Sequence, residues 1–157
     1  MGRRLSAGID LFRTEEDYQD EGSYDSESTG GRLRLGWNYT DDFAQYLRYT
    51  LKEDKISNVD RNASIYIKEE EGRYSNSSIG QTMVYDKRDS AINPKEGYYL
   101  SFGNDVAGLG GDEKYLKFDG KAYKYFTLAD YYTFKLFING GYITGYGDEN
   151  VRLSNRY

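Results

Sequence analysis

The chain has 157 residues and a formal net charge of −5, which suits one acidic domain. It contains no cysteine and no histidine, so disulfides, thiolate chemistry and the commonest general base are excluded. The acidic balance argues against a nucleic-acid partner. Charged residues make up 30% of the chain, and no apolar stretch of about 20 residues is available to cross a membrane as a helix. This composition does not exclude a transmembrane β-barrel, because the strands of such a barrel present only every second residue to lipid.

Aromatic content is the most informative part of the composition. The 18 Tyr and 7 Phe suit β-strands, and Tyr also concentrates at membrane interfaces, where its ring is buried and its hydroxyl is wet. A soluble, tyrosine-rich β-protein fits the composition equally well.

Alternation of apolar and polar residues predicts β-strands, starting with RRLSAGIDLF and followed by GRLRLGWNY, FAQYLRYTL and YYTFKLFING. The less regular stretches SSIGQTMVYD, EGYYLSFGND and KYLKFDGKAYKYF are also predicted to be strands. In a membrane barrel the apolar face would contact lipid, at Leu5, Ile9, Leu11, Leu33, Leu35, Trp37, Leu47, Tyr132, Phe134, Leu136 and Ile138. The other face would line the interior, at Arg32, Arg34, Arg48 and Lys135, together with Lys117 and Lys121 and the possible partners Asp10 and Asp119.

The connections between these stretches alternate in length. Short ones are predicted at 40–42, 91–96 and 127–130, and longer ones at 14–29, 53–77 (with a short helix at KEEEG) and 106–113. Tight periplasmic turns alternating with longer external loops are typical of an up-and-down barrel. The predicted fold is therefore all-β: an antiparallel transmembrane barrel of about seven or eight strands, or an open fragment of a larger one.

No catalytic, cofactor or metal site is predicted. The acidic cluster Glu15, Glu16, Asp17, Asp20 and Glu21 offers carboxylates for Ca²⁺ or for lipopolysaccharide, but it lacks EF-hand spacing and is better interpreted as a solvated loop. The GLGG run lacks the lysine and helix of a phosphate loop and favours a flexible hairpin connection. No nucleophile–base pair is recognisable, so the chain is not expected to be an enzyme.

The segment VYDKRDSAINPKEGYYLSFGNDVAGLGGDEKYLK resembles the barrel of the bacterial surface antigen family, which comprises BamA-type outer-membrane assembly factors. The residues that carry the resemblance lie at a strand end and in the turn after it: Tyr85, Asp86, Arg88, Asp89, Pro94 and Gly97. The stretches STGGRLRLGWNYTDDFAQYLRYTLKEDKISNV and GYITGYGDENVRLSNRY resemble the family as well. The resemblance implies a bacterial outer-membrane location and a family role in inserting outer-membrane proteins.

The resemblance covers the middle of the family's barrel. We expect residues 1–157 to be a single barrel domain without a signal peptide, POTRA domains, lateral-seam strands or the Arg-Gly-Phe loop motif, and hence without full assembly activity. Open sheet edges would require self-association or another barrel strand, in a lipid bilayer or detergent. The single proline and the turns WNYTDD and YFTLADYY suggest an engineered or derived small barrel, with VRLSNRY as an eighth strand. The alternative is a water-soluble redesigned or binding barrel with no membrane role.

Overall fold

The computed structural model describes residues 4–18, 24–61, 63–129 and 132–147. They form one curved sheet and a short helix, namely β1 (Leu5–Asp17), β2 (Asp25–Asn38), β3 (Phe43–Ser57), α1 (Ile65–Glu69), β4 (Gly72–Asp86), β5 (Gly97–Ala107), β6 (Tyr115–Ala129) and β7 (Tyr132–Gly145). The sheet has seven strands in the order β1-β2-β3-β4-β5-β6-β7, and every neighbouring pair is antiparallel. The predicted up-and-down connectivity is confirmed. Within the described ranges, no helix is long and apolar enough to span a membrane.

The strands extend further into the long connections than the sequence predicted. The predicted loop at 14–29 is mostly strand, because the ladder between β1 and β2 continues to the pair Asp17–Asp25. The backbone N–H of Tyr18 then donates to the carbonyl of Tyr24 at 3.0 Å. Polar residues occupy both faces where the end of β1 pairs with the start of β2. The alternation of apolar and polar residues therefore disappears there, although the backbone pairing continues.

The predicted loop at 53–77 was likewise too long, since β3 runs to Ser57 and β4 begins at Gly72. A short helix is present there, but α1 (Ile65–Glu69) begins before the predicted KEEEG run. The side chain of Ser64 caps it by accepting from the backbone N–H of Ile67 at 3.4 Å.

A conventional core is missing from the part of the chain that the structure describes. Only Ala63, Ala107 and Tyr115 are buried apolar residues there, whereas Leu11 is 86% exposed and Ile9 75% exposed. Soluble monomers rarely expose large contiguous apolar surfaces. The described residues therefore form a single layer, and none of them covers its apolar face.

The sheet curls without closing on itself. In the described residues, contacts between elements join only consecutive strands, so β1 and β7 are both edges. The curvature nevertheless forms a trough of about 880 Å³ whose lining comes from every strand, from Phe12 in β1 to Asn139 in β7. The eighth strand predicted at VRLSNRY lies outside the described residues.

Candidate functional site: the two faces of the sheet

The residues predicted to face lipid share the convex face of the sheet. Cross-strand partners lie on the same face, and the register pairs Leu5 with Trp37, Ile9 with Leu33 and Leu35 with Leu47. Nine of the eleven are exposed, namely Leu5, Ile9, Leu11, Leu33, Leu35, Tyr132, Phe134, Leu136 and Ile138, while Trp37 and Leu47 are half-buried. The residues predicted to face lipid thus form one continuous surface.

Aromatic rings gather on this face near the three short connections. The pairs are Trp37–Tyr39 at 6.1 Å, Tyr39–Phe43 at 5.3 Å, Tyr85–Tyr98 at 5.8 Å and Phe126–Phe134 at 5.9 Å between ring centroids. We call these residues the aromatic belt. Aromatic rings at one level, Trp and Tyr above all, are typical of a membrane–water interface.

The polar residue that interrupts the apolar face of β3 has partners on that face. The side-chain amide of Gln45 donates to the Gln81 side chain at 2.8 Å and accepts from the Tyr39 hydroxyl at 2.8 Å. A hydrogen-bonded amide is much less costly to place in an apolar environment than an unpaired one.

The concave face carries the charged residues. Arg32 and Arg48, which the sequence predicted to face an interior, line the trough together with Lys117, Lys121 and Asp119. Arg32 donates to the hydroxyl of Thr50 at 3.3 Å. Charges in such a trough keep access to water or to partners, which lowers the cost of placing them there.

Arg48 forms the central ion pair of the trough. Its Nε donates to Asp105 Oδ1 at 3.1 Å, its Nη2 contacts Asp105 Oδ2, and its Nη1 donates to Thr82 at 3.3 Å. Arg48 and Asp105 lie on strands that are not neighbours, and Gly80 of β4 stands opposite both. Because glycine has no side chain, the pair can meet across β4. Sequence reasoning missed Asp105.

The other two predicted interior residues lie on the concave side but outside the trough lining. Arg34 pairs with Asp10 at 2.7 Å, as the sequence suggested for Asp10. Lys135 lies over aromatic rings, with its ammonium 4.4 Å from the centroid of Tyr123 and 5.5 Å from that of Phe137. A cation over aromatic faces is electrostatically favourable.

The GLGG connection packs against the end of β4 rather than projecting as a free hairpin. The backbone N–H of Gly108 donates to the carbonyl of Ser77 at 3.1 Å, and that of Asp112 to the carbonyl of Ser75 at 2.8 Å. The buried Asn76 side chain hydrogen-bonds with Glu113 and, at 3.2 Å, with the Tyr115 hydroxyl. The sequence contained the glycines but gave no sign of this docked polar cluster.

The residues of the family-like motif build the connection between β4 and β5. Arg88 forms a two-pronged ion pair with Asp86, at 2.8 Å and 2.7 Å, and its guanidinium lies 5.0 Å from the ring centroid of Tyr99. Hydrogen bonding to Asp86 raises the pKa of Arg88 above its ordinary value. Such bidentate pairs fix orientation as well as charge.

Asp89 organises the rest of the turn. One of its carboxylate oxygens accepts from the backbone N–H groups of Ser90, Lys95 and Glu96, at 2.9, 2.9 and 3.1 Å. The N–H of Glu96, followed by that of Lys95, holds the pKa of Asp89 below its ordinary value. Gly97 closes the turn with φ +98°, a conformation that L-residues rarely adopt. The motif is therefore a hydrogen-bonded structural turn.

The predicted acidic cluster does not form a metal centre in the described residues. Glu15 pairs with Arg13 at 2.6 Å, Glu16 accepts from Tyr18, and no group of three or more metal-ligating side chains occurs in the described ranges. Asp20 and Glu21 lie outside the described residues.

The geometry of the two faces defines a class of protein. A single-layer antiparallel sheet with an exposed apolar convex face and a charged concave face is the wall of a transmembrane β-barrel. The chain belongs to the Omp85 superfamily, whose domain matches residues 1–157. It is an outer-membrane protein of this family.

Similar proteins support this assignment. The chain is 31% identical over 154 residues to the outer membrane protein assembly factor BamA of Neorickettsia risticii, covering 98% of this chain and 21% of that protein. It is 35% identical over 98 residues to the sorting and assembly machinery component 50 homolog of Xenopus tropicalis, covering 62% of this chain and 21% of that protein. The chain thus spans about a fifth of the length of these relatives.

A solved structure confirms the fold. The chain superimposes on BamA from Haemophilus ducreyi lacking POTRA domains 1–3 with a TM-score of 0.80, at 18% identity, covering 98% of this chain and 32% of that one. The superposition confirms the antiparallel barrel architecture, while the Omp85 match and the BamA relative confirm the resemblance inferred from the motif around Tyr85 and Gly97.

Proposed function

We propose that this chain forms part of the lipid-facing wall of an outer-membrane protein assembly barrel and acts there as a structural, non-enzymatic element. The observation that carries the proposal is the convex face, on which side chains such as Ile9 and Ile138 are 75% and 72% exposed. Water does not stabilise such a surface, whereas lipid does. The water-soluble alternative offers no cover for it.

The relatives supply the context of the wall. The Neorickettsia risticii protein is named as an outer membrane protein assembly factor, and the Xenopus tropicalis protein as a sorting and assembly machinery component. We infer that the protein containing this wall takes part in outer-membrane protein assembly. Within that barrel, residues 1–157 have a structural role and do not supply full assembly activity by themselves.

The sheet edges indicate what else the wall requires. In lipid, every backbone polar group must be hydrogen-bonded within the protein, and the outer sides of β1 and β7 have no partner strand in the described residues. We infer that each edge is completed by another barrel strand or by a second copy of this chain. In the hypothesis of an engineered or derived small barrel, the completing strand is the eighth strand predicted at VRLSNRY.

Proteoliposomes test both parts of the proposal. After refolding with phospholipid vesicles, the chain is expected to stay with the vesicles through an alkaline wash, because its apolar face inserts. A client barrel added to these vesicles is expected to fold no faster than in vesicles without the chain, since a wall alone does not supply the assembly activity.

Two results would contradict the proposal in different ways. A chain that is monomeric and rich in β-structure in buffer without detergent would support the water-soluble alternative. Faster client folding would show that this segment retains assembly activity and that a purely structural role is wrong.

A further inference from the structure

A shallow hollow of about 550 Å³ interrupts the convex face, with lining residues from β3 to β7. It exists because Gly120 and Gly140 stand opposite each other in β6 and β7, and a Cβ added at either would meet no atom within 4 Å. Apolar side chains including Met83, Phe102 and Ile138 border the gap. We call this hollow the convex groove.

One end of the convex groove reaches the aromatic belt. Phe43 and Tyr85 of the belt line the groove, as does Ala122. Two residues further along β6, Lys124 stands opposite Tyr98 on one side and Leu136 on the other, so it shares the convex face. A cation therefore lies at the level of the belt, just beyond the groove.

Lys124 lacks a carboxylate partner within the described residues. Its ammonium lies 5.5 Å from the ring centroid of Tyr98, and no ion pair of the described residues includes it. A second cation, Lys87, is close to the same rings and pairs with Asp42 at 3.5 Å. Tyr85, and after it Asp42, raises the pKa of Lys87, which keeps it charged.

The apolar groove and the neighbouring cation together indicate which kind of ligand would fit. An apolar groove that leads away from an unneutralised cation at the interface complements an amphiphile with an anionic head. We propose that one phospholipid occupies the convex groove, with its phosphate at Lys124 and an acyl chain along Gly120 and Gly140. The proposal rests on the proposed function, since the groove meets lipid only if the convex face does.

The site differs from the rest of the lipid-facing surface in two respects. At Gly31, on the same face, the Leu11 side chain lies 3.2 Å from where a Cβ would be, whereas the paired glycines Gly120 and Gly140 leave room for a chain to lie against the backbone. A charge-assisted hydrogen bond from Lys124 to phosphate strengthens as the surroundings become less polar. The bound lipid is thus held at one position and exchanges more slowly than the surrounding lipid.

Native mass spectrometry of the protein in dodecyl maltoside micelles containing dioleoyl phosphatidylglycerol tests the proposal. The parent is expected to retain one phospholipid. Lys124→Ala, which removes the charged donor, and Gly120→Leu, which fills the groove, are each expected to weaken retention about tenfold or more. Lys124→Arg should retain the lipid, and Lys95→Ala, which removes an exposed lysine of the β4–β5 turn, is the matched control.

The variants must first show the parent's β-content and heat-dependent gel migration, which a surface lysine and an open glycine position should preserve. Retention by Lys124→Ala or Gly120→Leu equal to that of the parent would overturn the proposal, as would equal binding of uncharged dioleoylglycerol. A doubled mass that Gly120→Leu abolishes would assign the groove to a second copy instead. Failure of the proposed function would look different, because the parent would then remain soluble without any micelle.

Discussion

Gly97→Ala is expected to lower the free energy of unfolding by about 3 kcal/mol or more, or to prevent folding. Gly97 has φ +98°, and a Cβ there would overlap the carbonyl oxygen of Lys87 and lie 2.8 Å from the Cα of Arg88. Both atoms belong to the backbone and cannot move without breaking the hydrogen bond from Lys87 N–H to the Tyr98 carbonyl, which is 2.8 Å long. Urea unfolding of the protein in vesicles measures the effect.

Substitutions at two other glycines distinguish the two causes of this loss of stability, which are backbone strain at positive φ and overlap of the Cβ with the backbone. Gly110 has φ +107° with open space around it, so Gly110→Ala carries only the backbone strain, about 1–2 kcal/mol. Gly120 has open space and no positive φ, so Gly120→Ala should change stability little. If Gly97→Ala lowers the free energy of unfolding no more than Gly110→Ala does, the close backbone packing around Gly97 does not contribute to the stability of the β4–β5 turn.

Leu33→Arg is expected to cost about 2–4 kcal/mol in a bilayer, since a charge on the lipid face is most destabilising near the midplane. Leu33 is 50% exposed on the convex face, opposite Ile9 and Tyr49. The same urea titration in vesicles gives the free-energy change.

The matched control uses the same incoming residue at another depth. Thr29 lies on the same face of β2, nearer the long connection between β1 and β2, so Thr29→Arg should cost about 0–1 kcal/mol. In a water-soluble barrel, an exposed Leu→Arg change would stay within about 0.5 kcal/mol of the parent. That result for Leu33→Arg would contradict a lipid-facing role.

The connectivity of the sheet was predictable because it depends on local signals. Alternation placed Leu33, Leu35 and Trp37 on one face, and the alternating connection lengths ordered the strands as an up-and-down sheet. The strand ends were less predictable, since polar residues occupy both faces where the end of β1, up to Asp17, pairs with the start of β2, from Asp25. Backbone pairing there leaves no periodic signature.

The charged trough shows where sequence reasoning stops. The cations that the sequence predicted for an interior face lie on the concave face of the sheet, but sequence reasoning did not find the partner of Arg48. Asp105 is 57 residues away in sequence and on a strand that does not adjoin β3. Their meeting depends on Gly80 lying between them on the same rung, which is knowable only once the register is fixed.

The residues of the turn motif were recognisable in the sequence, whereas the contacts that stabilise the turn are visible only in the structure. Sequence resemblance singled out Asp86, Arg88, Asp89, Pro94 and Gly97. It did not show that Asp89 accepts hydrogen bonds from three backbone N–H groups or that a Cβ at Gly97 would overlap the Lys87 carbonyl. These contacts depend on backbone conformation, which side-chain patterns do not encode.

Contact of the convex face with lipid is the central claim, and Trp37 tests it most directly. The chain has one tryptophan, so selectively excited tryptophan emission reports only on this residue of the aromatic belt. In vesicles of brominated phospholipids, we expect strong quenching, greater for bromines near the headgroup than near the bilayer centre, and weak quenching by aqueous iodide. Emission insensitive to every brominated lipid, yet quenched by iodide as in buffer, would contradict the account.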